Sequence, residues 1–248
     1  MAHTGTPEND GFLHLTCLKI PVKEVLEKAH EYNVSLTNFL CAVMMYALQE
    51  MQKEDVPMQE MRKPIKVLIP VNLRALFKSS TLRNFAMYAT PEILPMLGEY
   101  EFSEICDIIK NCMGAEITPK QMSMKIAANI KSEGVLAIRM TPLFIKNMVM
   151  KSIFRAVGEK KSCITMSNLG AVRIPDAMKP YVERMDFILG IQSSLPYNCG
   201  VLSFGDTLYV NFIRNIKESR LEYHFWQVLR SMGISVAVES NQNDQSDQ

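Results

Sequence analysis

The chain has 248 residues, 48% of them hydrophobic, which is enough apolar material to bury a sizeable core in one large domain or two small ones. Lysine and arginine total 27 against 26 acidic residues, and the resulting net charge of +1 excludes a global field that would gather nucleic acid or an anionic membrane. Six scattered cysteines with no Cys-x-x-Cys pair argue against a zinc site or a disulfide framework, and for buried free thiols in a reducing cytosol.

Residues 1–11 carry Gly5, Pro7, Asn9, Asp10 and Gly11, the composition of a tail or linker, and no basic-then-apolar stretch marks a secretory signal. Residues 12–20 read as a strand. Pro21 then opens a short helix with Val25, Leu26 and Ala29 on one face. Ser35 or Thr37 caps a longer helix whose Leu40, Val43, Met44, Ala47, Leu48 and Met51 form a stripe that packs against a sheet. The charged residues 50–63, with Pro57, are expected to form an exposed connection.

Residues 65–71 are dense enough in β-branched side chains for a central strand, and residues 85–93 form its successor. Between them, Arg74 reads as pairing with carboxylates or carbonyls, and Asn84 as closing a turn. Helices resume at Ser103 and at Thr118-Pro119-Lys120-Gln121, a capping box with proline at the first helical position. Gly134 should end the second of these, and a third helix is announced by Thr141-Pro142 and stopped by Gly158. Residues 135–154 are apolar but interrupted by Arg139, Pro142, Lys146 and Lys151, which excludes an uncharged membrane span.

Residues 163–167 alternate apolar with Thr and Ser, giving a half-buried strand that Asn168 to Gly170 end in a tight turn. Residues 187–191 are a further apolar strand. Two alternating runs joined by Gly205-Asp206 form a β-hairpin with a primed turn. Ser219-Arg220-Leu221-Glu222 is a capping box opening a helix with Leu221, Phe225, Val228, Leu229 and Met232 inward, closed by Gly233. A last short strand covers residues 234–238, and residues 240–248 form a polar disordered tail. The irregular alternation predicts an α/β (α+β) sandwich: one lobe over residues 12–239, a mixed sheet with helices packed on one face.

Thr165-Met166-Ser167-Asn168-Leu169-Gly170, followed by Arg173-Ile174-Pro175 and the strand at Phe187, resembles the Thr-Ile-Ser-Asn-Ile-Gly segment of dihydrolipoyl acyltransferase cores, members of the chloramphenicol-acetyltransferase-like superfamily. Ile69-Pro70-Val71-Asn72-Leu73-Arg74, then Thr81-Leu82-Arg83-Asn84-Phe85, resembles the Pro-Val-x-x-Arg and Gly-x-Phe-x-Asn region in the second lobe of condensation domains and alcohol acetyltransferase-like proteins. The resemblance implies acyl transfer from a coenzyme A thioester to a small alcohol or amine, with no tightly bound cofactor and no metal. It implies Ser167 as oxyanion donor, with Thr165, Asn168 and Asn84 as substrate-binding residues.

Such chemistry also needs a base. The superfamily takes it from a His-x-x-x-Asp motif, yet His3, His14, His30 and His224 are followed four residues on by Pro7, Leu18, Val34 and Val228. The resemblance therefore implies a C-terminal lobe whose partner is an N-terminal lobe carrying the catalytic histidine, or else self-association. A non-catalytic acyl-ligand or protein-binding module of the same fold is the alternative, and an unrelated α/β interaction domain a third. A cytoplasmic location and no nucleic-acid partner complete the expectation. Cys163 with His224 as thiol and base lacks any surrounding signature and reads as a buried thiol and a helical surface histidine.

Overall fold

The computed structural model describes residues 5–8, 11–133, 143, 147–148, 162–191 and 195–242. In chain order the strands are β1 (His14–Pro21), β2 (Ile65–Asn72), β3 (Ala86–Ala89), β4 (Glu92–Ile93), β5 (Ile164–Ala171), β6 (Tyr197–Phe204), β7 (Thr207–Arg214) and β8 (Ala237–Ser240). The helices are α1 (Val22–Glu31), α2 (Leu36–Asp55), α3 (Leu73–Phe77), α4 (Phe102–Glu116), α5 (Pro119–Glu133) and α6 (Arg220–Ser231). The strands form one mixed sheet in the order β3-β2-β5-β6-β7-β1-β8, with β4 also pairing β2. Pairing is parallel from β2 through β5 to β6, and antiparallel from β6 through β7 and β1 to β8.

Strand alternation assigns the two faces. Leu18 and Ile20, Val67 and Ile69, Ile164 and Met166, Cys199 and Val201, and Val210 and Phe212 all enter one core with α1, α2, α4 and α6. At the centre of that core α2 is buried on every side, including the consecutive Phe39 to Met45, as expected of a helix that is apolar all round rather than striped. Ser35 caps it by accepting from the Asn38 N–H at 3.2 Å. Each large side chain so enclosed contributes about 1.5–3 kcal/mol of transfer free energy.

Several expectations are corrected by local physics. The exposed connection expected over residues 50–63 begins only after α2, which continues to Asp55, and it is anchored at its end: buried Gln52 exchanges two 3.0 Å hydrogen bonds with the Lys63 backbone while buried Arg62 pairs with Glu99. The strand expected over residues 85–93 is broken into β3 and β4 at Pro91, which has no N–H to give to a ladder. Asn168 to Gly170 bulge β5 rather than ending it, Gly170 taking φ +77°. The last strand lies at Ala237–Ser240 instead of residues 234–238.

Ser219 makes no side-chain cap, because Glu222 turns inward to Arg214 instead of back to the helix start. Residues 187–191 form no strand and join no ladder among the described residues. The hairpin is as expected, Gly205 adopting φ +58° between β6 and β7. Of the polar tail, Asn241 and Gln242 are pinned: Asn241 bonds Leu13 and Leu15, and Gln242 accepts from Arg214. Of the helix expected from Thr141 to Gly158 only Leu143, Asn147 and Met148 are described, each helical, and the rest of it and its predecessor's end at Gly134 lie outside the described residues. Among the described residues no helix is long and apolar enough to cross a membrane.

Candidate functional site

Ile164 and Met166 of β5 enter the helix-covered core, so Thr165 and Ser167 lie on the opposite face of the sheet. Across the sheet Ser167 is in register with Gly200, Gly200 with Asn211, Asn211 with Cys17, and Cys17 with Glu239. One row thus runs from β5 to β8. The crossover from β5 to β6 returns over this face, and residues 184–190 lie along the row.

Each step of that crossing is held by a specific contact. Arg184 bonds Glu239 at 2.5 Å and Asp186 at 2.5 and 3.0 Å, and lies over the Tyr209 ring, 5.5 Å from its centroid. The Asn211 amide, oriented to satisfy both its ends, donates to Asp186 Oδ1 at 3.2 Å and accepts from the Phe187 N–H at 3.3 Å. At Gly200 the Phe187 carbonyl comes so near that a Cβ would meet its oxygen at 2.0 Å. Asn198, the register partner of Thr165, donates to the Gly190 carbonyl, while its Oδ1 has no partner. These side-chain bonds replace a strand ladder, which is why an apolar run at residues 187–191 crosses the sheet instead of joining it.

Ser167 is half-buried beside the end of this crossing, and Thr165 is buried. Asn168 belongs to the other face: its amide nitrogen donates to Thr37 Oγ1 at the start of α2 at 3.1 Å, and its oxygen accepts from the Gly170 N–H at 2.8 Å. Asn84 is exposed, two strands away between α3 and β3, beside a small cavity of about 220 Å³ that Leu73 and Ile126 also line. Thr165 and Ser167 are therefore brought together and Asn168 and Asn84 are not. Arg74 bonds the Thr81 and Arg83 carbonyls at 2.8 and 2.7 Å, closing the loop that carries Asn84.

The charges of the site are fixed rather than labile. Burial above all, offset in part by the Arg184 cation and helped by the Asp186 carboxylate it faces at 3.7 Å, pushes the Cys17 thiol up to about 11. The hydrogen bonds that Arg184 donates to Asp186 raise its guanidinium above its ordinary value, so it stays a cation. A serine hydroxyl on such a row can donate to an oxyanion but cannot activate an acceptor by itself. His14 pairs with Glu8 at 2.8 Å, and His224, which is buried rather than on the surface, lies 3.3 Å from Glu54. Cys163 instead faces the Lys66 N–H and the Pro64 carbonyl, so it and His224 have separate surroundings. Among the described residues no group of three or more His, Cys, Asp or Glu could hold a metal.

Sequence reasoning missed Asn198, Gly200 and Asn211. The available signal was two asparagines and a glycine inside otherwise apolar hairpin strands, where buried polar groups need partners.

No protein-family model and no curated protein match the sequence. Solved structures do. TRI101 of F. sporotrichioides, determined with coenzyme A and T-2, matches with a TM-score of 0.61 at 10% identity, over 95% of this chain and 53% of that one. TRI3 trichothecene 15-O-acetyltransferase from Fusarium sporotrichioides gives 0.55 at 13% identity, over 92% and 48%. The epimerization domain from the third module of tyrocidine synthetase B gives 0.51 at 10% identity, over 92% and 48%. The chain spans about half the length of these proteins. The mixed sheet with its helix-covered face is thus a fold this chain shares with about half of each of these proteins, two acetyltransferase-type structures and an epimerization domain among them.

Proposed function

We propose that this chain is the C-terminal, oxyanion-side lobe of a coenzyme-A-dependent acyltransferase, acting on an acyl thioester and a small alcohol or amine. The observation that carries the reading is the position of Ser167 on the sheet face away from the helices, at the end of the row that residues 184–190 cross. In this reading Ser167 donates to the tetrahedral oxyanion and Thr165 lines the acyl channel beside it. Asn168 acts from behind by tying β5 to α2, and Asn84 contacts substrate from the loop before β3. The base comes from a histidine-bearing N-terminal lobe, or from a second chain, in a cytoplasmic assembly.

Exposed apolar side chains on β5 and in the crossover that follows it support docking there: Leu169 is 57% exposed, Ile188 47% and Tyr181 86%. Self-association of the isolated chain follows. Coenzyme A is in the TRI101 structure, which supports it as co-substrate here.

The test is multiple-turnover acetyl transfer from acetyl-coenzyme A to small alcohols by the purified 248-residue chain. Without a positioned base, rates about 10²- to 10⁴-fold below those of a complete site are expected. Efficient turnover that survives contaminant controls overturns the assignment of the base to another lobe.

A further inference from the structure

A second site lies on the other face of the sheet, at its opposite edge. Between α6 and the β1–β8 edge is an open cavity of about 1180 Å³, lined by Phe12, Tyr223, Trp226 and Val238. It is three strands from Ser167, roughly 14 Å by strand spacing, with the sheet itself between. At that size it exceeds the space a few ordered waters fill and is somewhat larger than the roughly 300–1,000 Å³ of most ligand pockets.

The polar floor of the cavity is built from buried groups. Arg214, fully buried in β7, donates to Glu222 Oε1 at 2.6 Å, Thr16 Oγ1 at 3.2 Å, Gln242 Oε1 at 2.9 Å and the Ile216 and Lys217 carbonyls at 3.1 and 3.4 Å. Its three nitrogens are thereby all committed and offer nothing to a ligand. Two acceptors are left over. Glu222 and His14 are each 4% exposed and line the cavity, yet among the described residues Glu222 Oε2 and His14 Nδ1 have no hydrogen-bond partner. In the neutral tautomer that donates its Nε2–H to Glu8 at 2.8 Å, His14 Nδ1 carries the lone pair. Buried acceptors without donors are costly, and the deficit here has a direction: what is missing is a donor.

The walls fit the same chemistry. Tyr223 and Trp226 stack with centroids 6.0 Å apart and present an aromatic surface that favours a cation. Carboxylates Glu8 and Glu222 line the cavity together with Lys217, and the Arg214 guanidinium beneath it is paired to Glu222.

We propose that this cavity binds an organic amine, its ammonium group donating to Glu222 Oε2 and His14 Nδ1 and its apolar body lying along Tyr223 and Trp226. The site is independent of the Ser167 reading, since it shares no residue with that row.

Trp226 is the only tryptophan in the chain, so its fluorescence reports the cavity directly. Phenethylamine is titrated into the purified chain, with phenylacetate, which puts an acceptor in place of the donor, as comparison. Phenethylamine should produce a saturable change, with phenylacetate at least 10-fold weaker. Glu222→Gln should weaken phenethylamine at least 10-fold. Val238→Arg, a change at a half-exposed edge position, should abolish the change while leaving the thermal midpoint in place. No saturable response, equal affinity for phenylacetate, or an unchanged affinity in folded Val238→Arg each overturns the proposal.

Discussion

Gly200→Ala sets two physical effects against each other with opposite signs. Gly200 is in mid-strand with no positive φ, so on backbone entropy alone alanine should stabilise by about 0.5–1 kcal/mol. The new Cβ, however, would meet the Phe187 carbonyl oxygen at 2.0 Å and its carbon at 3.0 Å. Both partners are backbone, so relief requires the crossing segment to lift by about 1 Å or more, an overpacking cost of about 1–3 kcal/mol. Lifting also strains the Asn211–Phe187 and Asn198–Gly190 hydrogen bonds, each worth roughly 1 kcal/mol. The net expectation is destabilisation by about 2–3 kcal/mol, or about 4–12 °C in Tm for a chain of this size. Urea denaturation gives the free energy, and Gly190→Ala is the control, since nothing lies within 4 Å of its Cβ position. If Gly200→Ala is as stable as the parent, the close approach over Ser167's neighbour is wrong.

Breaking the buried Arg214–Glu222 pair from one side, by Arg214→Met or Glu222→Gln, should cost about 3–5 kcal/mol for the partner left behind, while replacing both with apolar residues should cost far less; equal losses in urea midpoint would contradict this. Native thiols should react slowly with iodoacetamide at pH 8, because burial pushes Cys17 and Cys112 up to about 11 and Cys106 to about 12 and raises Cys41 and Cys199 above their ordinary range; rapid labelling of these five by peptide mapping would refute it. Acidification should lower the thermal midpoint: hydrogen bonds from Arg220, Lys53 and Lys19 hold Glu54, Glu99 and Glu239 below the usual carboxylate range, so their contribution is present above the unfolded value and lost as pH falls through the folded one. Burial raises Glu222, which opposes this trend, and a midpoint that climbs from pH 6 to pH 3 would show that Glu222 dominates.

What the sequence disclosed is whatever local pattern decides. Gly205-Asp206 between alternating runs, the Ser35 cap and the Ile65 strand were legible because turn chemistry, capping and β-branching act over a few residues. The fold was legible through two short motif blocks, and Thr165 and Ser167 do share one face. Long-range partners were not legible. Glu222 reads as half of a capping box until Arg214 competes for it, and Phe187 to Ile191 read as a strand until Asn198, Asn211 and Gly200 hold that segment across the sheet. The side-chain bonds that decide these cases span residues far apart in sequence, beyond any window of hydrophobic periodicity. The cavity at Trp226 was hidden for the same reason, its walls coming from both ends of the chain.

The central claim is that Ser167 acts on the transition state. In the complete two-lobe assembly, Ser167→Ala should be assayed for kcat, KM and thermal midpoint beside Thr165→Val. An oxyanion donor strengthens only as charge develops, so kcat should fall by about 10²- to 10³-fold while KM and the midpoint stay near the parent's. A kcat within a few-fold of the parent would contradict the account and leave Ser167 as part of the scaffold.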